Sequence, residues 1–344
     1  MMRELLPRLI GGERLTREES ASAIRAIVRG ECDPALVGAF LVLLAQRGET
    51  SDELAGGAEA LRSEAVPFPS PPGPLLDTCG TGGDHRHTFN VSTAVALVAA
   101  AAGARVAKHG NRSVSSRCGS ADVLQALGAK VELGPRAASR ALEATGFCFL
   151  FAPRYHPSMR RVAPVRQALG VRTLFNWMGP LANPARASHQ LLGIPDASRL
   201  DVVARVLSAL GVKRALVVHG TGGLDELSLE EGNEALLVEG TREPRPVRIE
   251  AADLGLAAAP PDALLGGNAS ENAAIVRSVL DGERGPRRDL VLLNAAAALW
   301  VSERSRSMDE ALRLAADAID CGAAARTLDR YIEISNESLP EEEA

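Results

Sequence analysis

Hydrophobic positions along the first sixty-odd residues recur at helical spacing, with Ile24, Ile27 and Val28 on one face. Thr16-x-x-Glu19 precedes this run as a capping box, whose side chains satisfy the free amides of a helix start. Asp33-Pro34 supplies an N-cap and a first-turn proline before LVGAFLVLLAQRG, and Thr50-x-x-Glu53 opens a third helix toward Leu61. No strand pattern interrupts these helices up to about Val66. Pro67, Pro69, Pro71, Pro72 and Pro74 then crowd one segment, which reads as an extended linker and a domain boundary. Beyond it the pattern changes to short apolar runs, each followed by a glycine turn and a helix: PLLDTCG, a helix from Thr93, RVAKHG, a helix from Ala121, and CFLFAP. This alternation predicts βαβ units and a parallel sheet. The stretch Pro164 to Pro184 breaks the pattern with glycine and proline, and RALVVHG and EALLVEG resume it.

Composition narrows the class. The 344 residues suffice for two domains, and 46% hydrophobic content with only 3% aromatic leaves the packing to Ala, Leu and Val. A net charge of −5 provides no basic footprint for nucleic acid. The five cysteines are scattered without a CxxC pair, as expected of reduced thiols in a cytoplasmic protein. The N-terminus lacks the apolar run of a signal peptide, and Thr93 to Ala104 is too short to span a bilayer, so no membrane association is expected.

Four clusters carry chemistry. Asp77-Thr-Cys-Gly-Thr-Gly-Gly-Asp84 is a glycine-rich turn directly after a strand, where converging amide N–H groups bind anions. It is no dinucleotide fingerprint, because His85 stands where that pattern needs glycine or alanine, and there is no Walker lysine. Asn90-Val-Ser-Thr93 places Ser92 and Thr93 at the N-cap of the Ala-rich helix, where hydroxyls reach phosphate or metal. Lys108 to Ser116 (KHGNRSVSS) packs two cations and four hydroxyl or amide side chains around a glycine, a loop suited to a highly charged ligand. Asp225-Glu226 lies in a glycine-rich loop after RALVVHG, and its hard oxygens suit Mg²⁺ shared with substrate phosphates. His85 and His87 form a His-x-His without a second donor group and read as exposed loop side chains. Cys118 reads as a buried thiol with no base beside it.

Taken in order, CGTGGD, NVST, KHGNRSVSS, GSADVLQALG, the FAPRYHPSMRRVAPVRQALGVRTLFNWMGPLANP segment and HGTGGLDELS resemble the anthranilate phosphoribosyltransferase family over nearly the whole chain. The resemblance implies transfer of a phosphoribosyl group from 5-phosphoribosyl 1-diphosphate to anthranilate, with two magnesium ions per monomer. It implies donor binding by Gly80, Gly83, Asp84, Thr88, Asn90, Val91, Ser92, Thr93, Lys108, His109, Gly110, Asn111, Arg112, Ser113, Val114, Ser115, Ser116 and Ser120. Gly80, Asn111 and Arg166 would contact anthranilate, while Ser92, Asp225 and Glu226 would hold metal. The implied fold is α/β: a small all-helical domain, residues 1–72 plus about 163–188, beside a larger domain, 73–162 plus 189–338, with a mostly parallel sheet flanked by helices. A homodimer through the helical domain is also implied. Two other readings remain at this stage. A pyrimidine nucleoside phosphorylase would release no diphosphate, and a noncatalytic nucleic-acid-binding paralogue should lack the acidic pair and carry a basic groove.

Overall fold

The computed structural model describes residues 1–84, 86–113 and 117–337. Four helices come first: α1 (Met2–Ile10), α2 (Arg17–Arg29), α3 (Pro34–Arg47) and α4 (Ser51–Ser63). Three begin at the capping residues read from the sequence. Thr16 Oγ1 accepts from the Glu19 amide at 3.2 Å and Asp33 Oδ1 from the Ala35 amide at 2.8 Å. Thr50 Oγ1 accepts from the Glu53 amide at 3.2 Å. Glu53 does more than close its box. Buried at the α2–α4 contact, its carboxylate also accepts from the Leu15 amide at 2.9 Å and from the Arg47 guanidinium at 2.6 Å. Helix α1 has no counterpart among the sequence-predicted elements, because Pro7 interrupts its period.

The described residues then form a seven-stranded sheet: β1 (Leu76–Gly80), β2 (Val106–Gly110), β3 (Phe147–Phe151), β4 (His189–Gly193), β5 (Arg214–His219), β6 (Glu234–Glu239) and β7 (Arg245–Pro246). Their order is β3-β2-β1-β4-β5-β6-β7. The first five are parallel, as the βαβ alternation predicts, whereas β6 and β7 pair antiparallel. RALVVHG and EALLVEG therefore form an antiparallel pair rather than another crossover unit. Strand β4, HQLLG, is an addition to the strands read from the sequence. It is buried throughout, so it lacks the alternation of a half-exposed strand.

Alternation along the central strands feeds two apolar clusters. Leu191, Leu216 and Leu237 point into the layer formed by Val91–Ala101, Pro135–Thr145 and the C-terminal helices. Leu192, Val217 and Val238 join the other cluster with α1 to α4, Leu174–Leu181 and the Leu200–Ala209 helix. The segment after Pro164 thus packs with the N-terminal helices against one sheet face. Two polar ties fasten it. Asn183 Nδ2 donates to both Asp77 Oδ2 and the Ala107 carbonyl at 2.8 Å, and His156 Nε2 lies 3.0 Å from the Ala182 carbonyl. No helix among the described residues is long and apolar enough to cross a membrane.

Burial holds the His156 pKa down at about 4, against 6.5 ordinarily, so the folded protein keeps this ring neutral. The unfolded chain takes up its proton first, so this contribution to stability is complete above the unfolded value. It is lost as pH falls from 6.5 toward the folded value. Linkage puts the loss at about 2 kcal/mol between roughly pH 7 and pH 5. Denaturant unfolding at the two pH values should show wild type losing about that much more stability than His156→Gln.

Candidate active site

In a sheet whose order runs 3-2-1-4-5, the chain leaves β1 and β4 in opposite directions, and the crevice beyond their carboxyl ends is where ligands settle. Both strands end in glycine here, and the Asp225 loop presses against both ends. A Cβ on Gly80 would stand 2.2 Å from Asp225 Oδ2, and one on Gly193 would stand 1.5 Å from the Asp225 carbonyl oxygen. Only bare backbone permits this approach. Thr81 N–H donates to the Gly193 carbonyl at 3.0 Å, and Gly82 N–H donates to Asp225 Oδ2 at 2.8 Å. The glycine-rich turn and the acidic loop, 143 residues apart in the chain, are thereby one structure.

The carboxylates of Asp84, Asp225 and Glu226 each offer an oxygen within 4.8 Å of the others, and all three residues are half-buried. Crowding shows in their acidity. Desolvation, then the charge of Asp84, pushes Asp225 up to about 6. Desolvation with Asp225 and Asp84 beside it pushes Glu226 well up as well. Among the described residues, Glu226 Oε2 and Asp84 Oδ2 are buried without a hydrogen-bond partner. Orphaned anionic oxygens converging on one point fit a hard divalent cation. Asp84 comes from the glycine-rich turn, so the acidic group is wider than the Asp225-Glu226 pair.

The cradle beside it is built on Lys108. Its buried Nζ donates to the Thr78 carbonyl and to Ser92 Oγ, the latter at 3.1 Å. Burial lowers its pKa, and the nearby Asp77 carboxylate opposes that shift. Asp77 itself is pushed up to about 6 by its own burial, despite Lys108 and the Asn183 amide. The helix above begins at Val91 with Asn90 in the N-cap position. Ser92 and Thr93 therefore lie inside its first turn rather than at the N-cap, since the chain becomes helical two residues earlier than the hydroxyls suggest. Thr93 Oγ1 is buried without a hydrogen-bond partner among the described residues, and Asn90 is held between the Cys118 carbonyl and the Asn272 amide.

Around the KHGNRSVSS loop, Asp122 accepts from the Ser113 and Gly119 amides at 3.0 and 2.9 Å and from the Arg112 guanidinium at 3.1 Å. Ser120 Oγ donates to the Asn111 carbonyl at 3.3 Å, just past Gly110 at the end of β2. Val114, Ser115, Ser116 and His85 lie outside the described residues. His87 is exposed, in keeping with an ordinary loop side chain. Thr88 bridges Leu265. His109 is buried against His156, ring centroids 5.2 Å apart, and burial drives its pKa down to about 3. It is a neutral ring at any physiological pH.

Arg166 sits on the short helix Ala163–Leu169, half-buried, its guanidinium 5.6 Å from the Phe175 ring centre. It has no carboxylate partner among the described residues, and desolvation lowers its pKa. The structure thus brings Gly80, Asp84, Asp225 and Glu226 together and joins Lys108 to Ser92, whereas no hydrogen bond or ion pair among the described residues ties Arg166 to either group. Arg172, unmarked by any local motif, is the insertion residue that touches the glycine-rich turn. Gly193 is equally silent in the sequence.

Residues 72–325 match the a/b domain of the glycosyl transferase family, and residues 3–65 match that family's helical bundle domain. Fold and site together define a glycosyl transferase of this class. The chain is 49% identical over 336 residues to anthranilate phosphoribosyltransferase of Roseiflexus castenholzii, covering 97% of this chain and 98% of that one. It is 50% identical over 322 residues to anthranilate phosphoribosyltransferase 2 of Streptomyces coelicolor, covering 93% and 96%. Among solved structures, the Thermus thermophilus enzyme superposes with a TM-score of 0.90 at 44% identity, covering 96% of this chain and 99% of that one. The Saccharomyces cerevisiae enzyme in complex with PRPP and Mg gives 0.89 at 25% identity, covering 97% of each chain. The chain belongs to the anthranilate phosphoribosyltransferase family.

The glycine contacts yield a direct test. Gly193→Ala should cost about 1–3 kcal/mol, because the Asp225 backbone must move. A Cβ at Gly179 meets nothing within 4 Å, so Gly179→Ala should stay within about 0.5 kcal/mol of wild type. Urea unfolding of the two variants measures the difference.

Proposed function

We propose that this chain transfers the phosphoribosyl group of 5-phosphoribosyl 1-diphosphate to the amine of anthranilate, giving N-(5-phosphoribosyl)anthranilate and diphosphate, as a cytoplasmic enzyme of L-tryptophan biosynthesis. The observation that carries the reading is the Asp84, Asp225 and Glu226 group, with its orphaned oxygens, beside a glycine turn and the Lys108–Ser92 contact at the sheet's switch point. These residues would hold two magnesium ions, with Ser92 Oγ as a further ligand, and the bound metal supplies charge relief to the leaving diphosphate.

The chain's own groups do the rest. Gly80, Gly83, Asp84, Thr88, Asn90 to Thr93, Lys108 to Ser116 and Ser120 make up the donor cradle in this reading. The backbone N–H groups of the turn and of the Val91 helix start orient the phosphates. Arg166 grips the anthranilate carboxylate through its fork of donors, and Asn111 and Gly80 complete the acceptor contacts. An aromatic amine is already neutral near pH 7, so holding it close to the ribose C1 carbon substitutes for a strong general base. The electron-poor centre formed as diphosphate departs is expected of displacement at such a carbon.

The helical unit, residues 1–72 with about 163–188, would carry Arg166 across the cleft from the α/β unit, 73–162 with 189–338. Exposed Ile10 and Val42 on the N-terminal helices suit a homodimer through that unit. No observation favours the phosphorylase or the nucleic-acid-binding reading.

Incubation with anthranilate, 5-phosphoribosyl 1-diphosphate and Mg²⁺ should deplete anthranilate fluorescence and release diphosphate. Phosphate-dependent release of a free base from a pyrimidine nucleoside instead, or no change, would overturn the reading. Arg166→Ala should weaken use of anthranilate by about 2–4 kcal/mol in kcat/KM, with donor affinity unchanged, as steady-state kinetics will show. Replacing Asp225 by Asn together with Glu226 by Gln should abolish Mg²⁺-dependent turnover while circular dichroism reports a folded protein.

A further inference from the structure

Arg172 occupies the turn between two short helices of the insertion. Gly170, in the left-handed conformation at φ 62°, ends the first, and Thr173 caps the second, its amide donating to Asn176 Oδ1 at 2.9 Å. The backbone around Arg172 is therefore fixed on both sides. Its guanidinium lies over the Trp177 ring, 5.1 Å from the centre, which fixes the head group as well. From that shelf Nη1 and Nη2 both donate to the Gly82 carbonyl at 3.4 Å, and a Cβ on Gly83 would fall 2.6 Å from Nη1.

Gly82 is held from two directions. Its N–H donates to Asp225 Oδ2 on the acidic side, and its carbonyl accepts from Arg172 on the insertion side. An anion-binding turn works only while its N–H groups face the ligand and its carbonyls face away. Nothing in Gly82 itself enforces that choice, since glycine at φ 67° can flip its peptide at little cost. At 3.4 Å the contacts are long for hydrogen bonds, so the charge of the guanidinium carries as much of the effect as directed bonding does. That charge lies beside the turn proposed to hold the diphosphate.

We propose that Arg172 is a positioning residue for the donor: it keeps the Gly82 carbonyl turned out of the phosphate cradle and lends the turn a fixed cation, setting affinity for the diphosphate group. The assignment deepens, and rests on, the phosphoribosyl transfer reading above. It differs in role from Arg166, six residues earlier on the same insertion, which serves the acceptor. The insertion thus contributes one arginine to each substrate.

Calorimetric titration of the full chain with magnesium diphosphate, and separately with the magnesium complex of 5-phosphoribosyl 1-diphosphate, tests this without relying on turnover. Arg172→Ala should raise both dissociation constants about tenfold, the loss expected for one charge-assisted contact. Its KM for anthranilate and its melting temperature should stay near wild type, a split that a merely structural residue would not produce. Arg172→Lys, which keeps the charge but not the flat fork over Trp177, should recover part of the affinity. Unchanged dissociation constants in Arg172→Ala, or equal losses for donor and acceptor, would overturn the assignment. Should wild type bind magnesium diphosphate yet fail to use anthranilate, the functional reading falls, and the calorimetric comparison still decides the role of Arg172.

Discussion

A charged ammonium buried beneath the floor of the cleft governs much of this architecture. Taking Lys108 out of water costs several kcal/mol unless its protons find acceptors and its charge finds a counter-ion. The Thr78 carbonyl and Ser92 Oγ supply the acceptors, and Asp77 supplies the charge. Asp77 is then a buried carboxylate in its own right, and Asn183 and the His109 amide satisfy it. One lysine thereby ties β1, β2 and the helix after Asn90 to the segment that returns from the insertion. The segment that bears Arg166 is anchored through the same network that underlies the glycine-rich turn.

Backbone proximity is the second constraint. The acidic loop can lie across the sheet's switch point only because β1 and β4 both end without side chains. It reaches there from β5, and the chain comes back through the antiparallel β6 rather than through a helix. That return leaves Asp225 and Glu226 on a connection that must pass over the strand ends. A crossover helix would have carried the chain away across a sheet face.

Local chemistry was legible where a few adjacent residues determine the outcome. The caps at Thr16, Asp33 and Thr50 depend on neighbours three residues away at most, and each is realised. The expectation of anion binding at the glycine turn and the KHGNRSVSS loop also rests on adjacent residues alone. Elements set by tertiary contact were not legible. The buried β4 contains His189 and Gln190, polar residues whose partners, Ser188 Oγ for one and Cys79 and the Pro180 carbonyl for the other, are invisible in a hydrophobic pattern. The convergence of Asp84 with Asp225 spans the two halves of the chain. The antiparallel turn of β6 and the reach of Arg172 to Gly82 have no sequence signature either. Ser92 and Thr93 stand two and three residues past the cap that hydroxyls usually favour, and one of them serves the buried lysine from inside the helix.

The scarcity of aromatic residues gives the molecule an unusual optical character. Its two tryptophans, Trp177 and Trp300, stand in different places. Trp177 lies in the insertion, close to the guanidinium groups of both Arg172 and Arg199. Trp300 ends the long Pro286–Val301 helix beneath Arg214, which enters the sheet at the start of β5. Ultraviolet emission from the folded chain is thus the sum of a cleft signal and a distal one, each beside a cation that shifts indole emission. The protein carries, without labelling, one chromophore at its working edge and a second that serves as an internal reference.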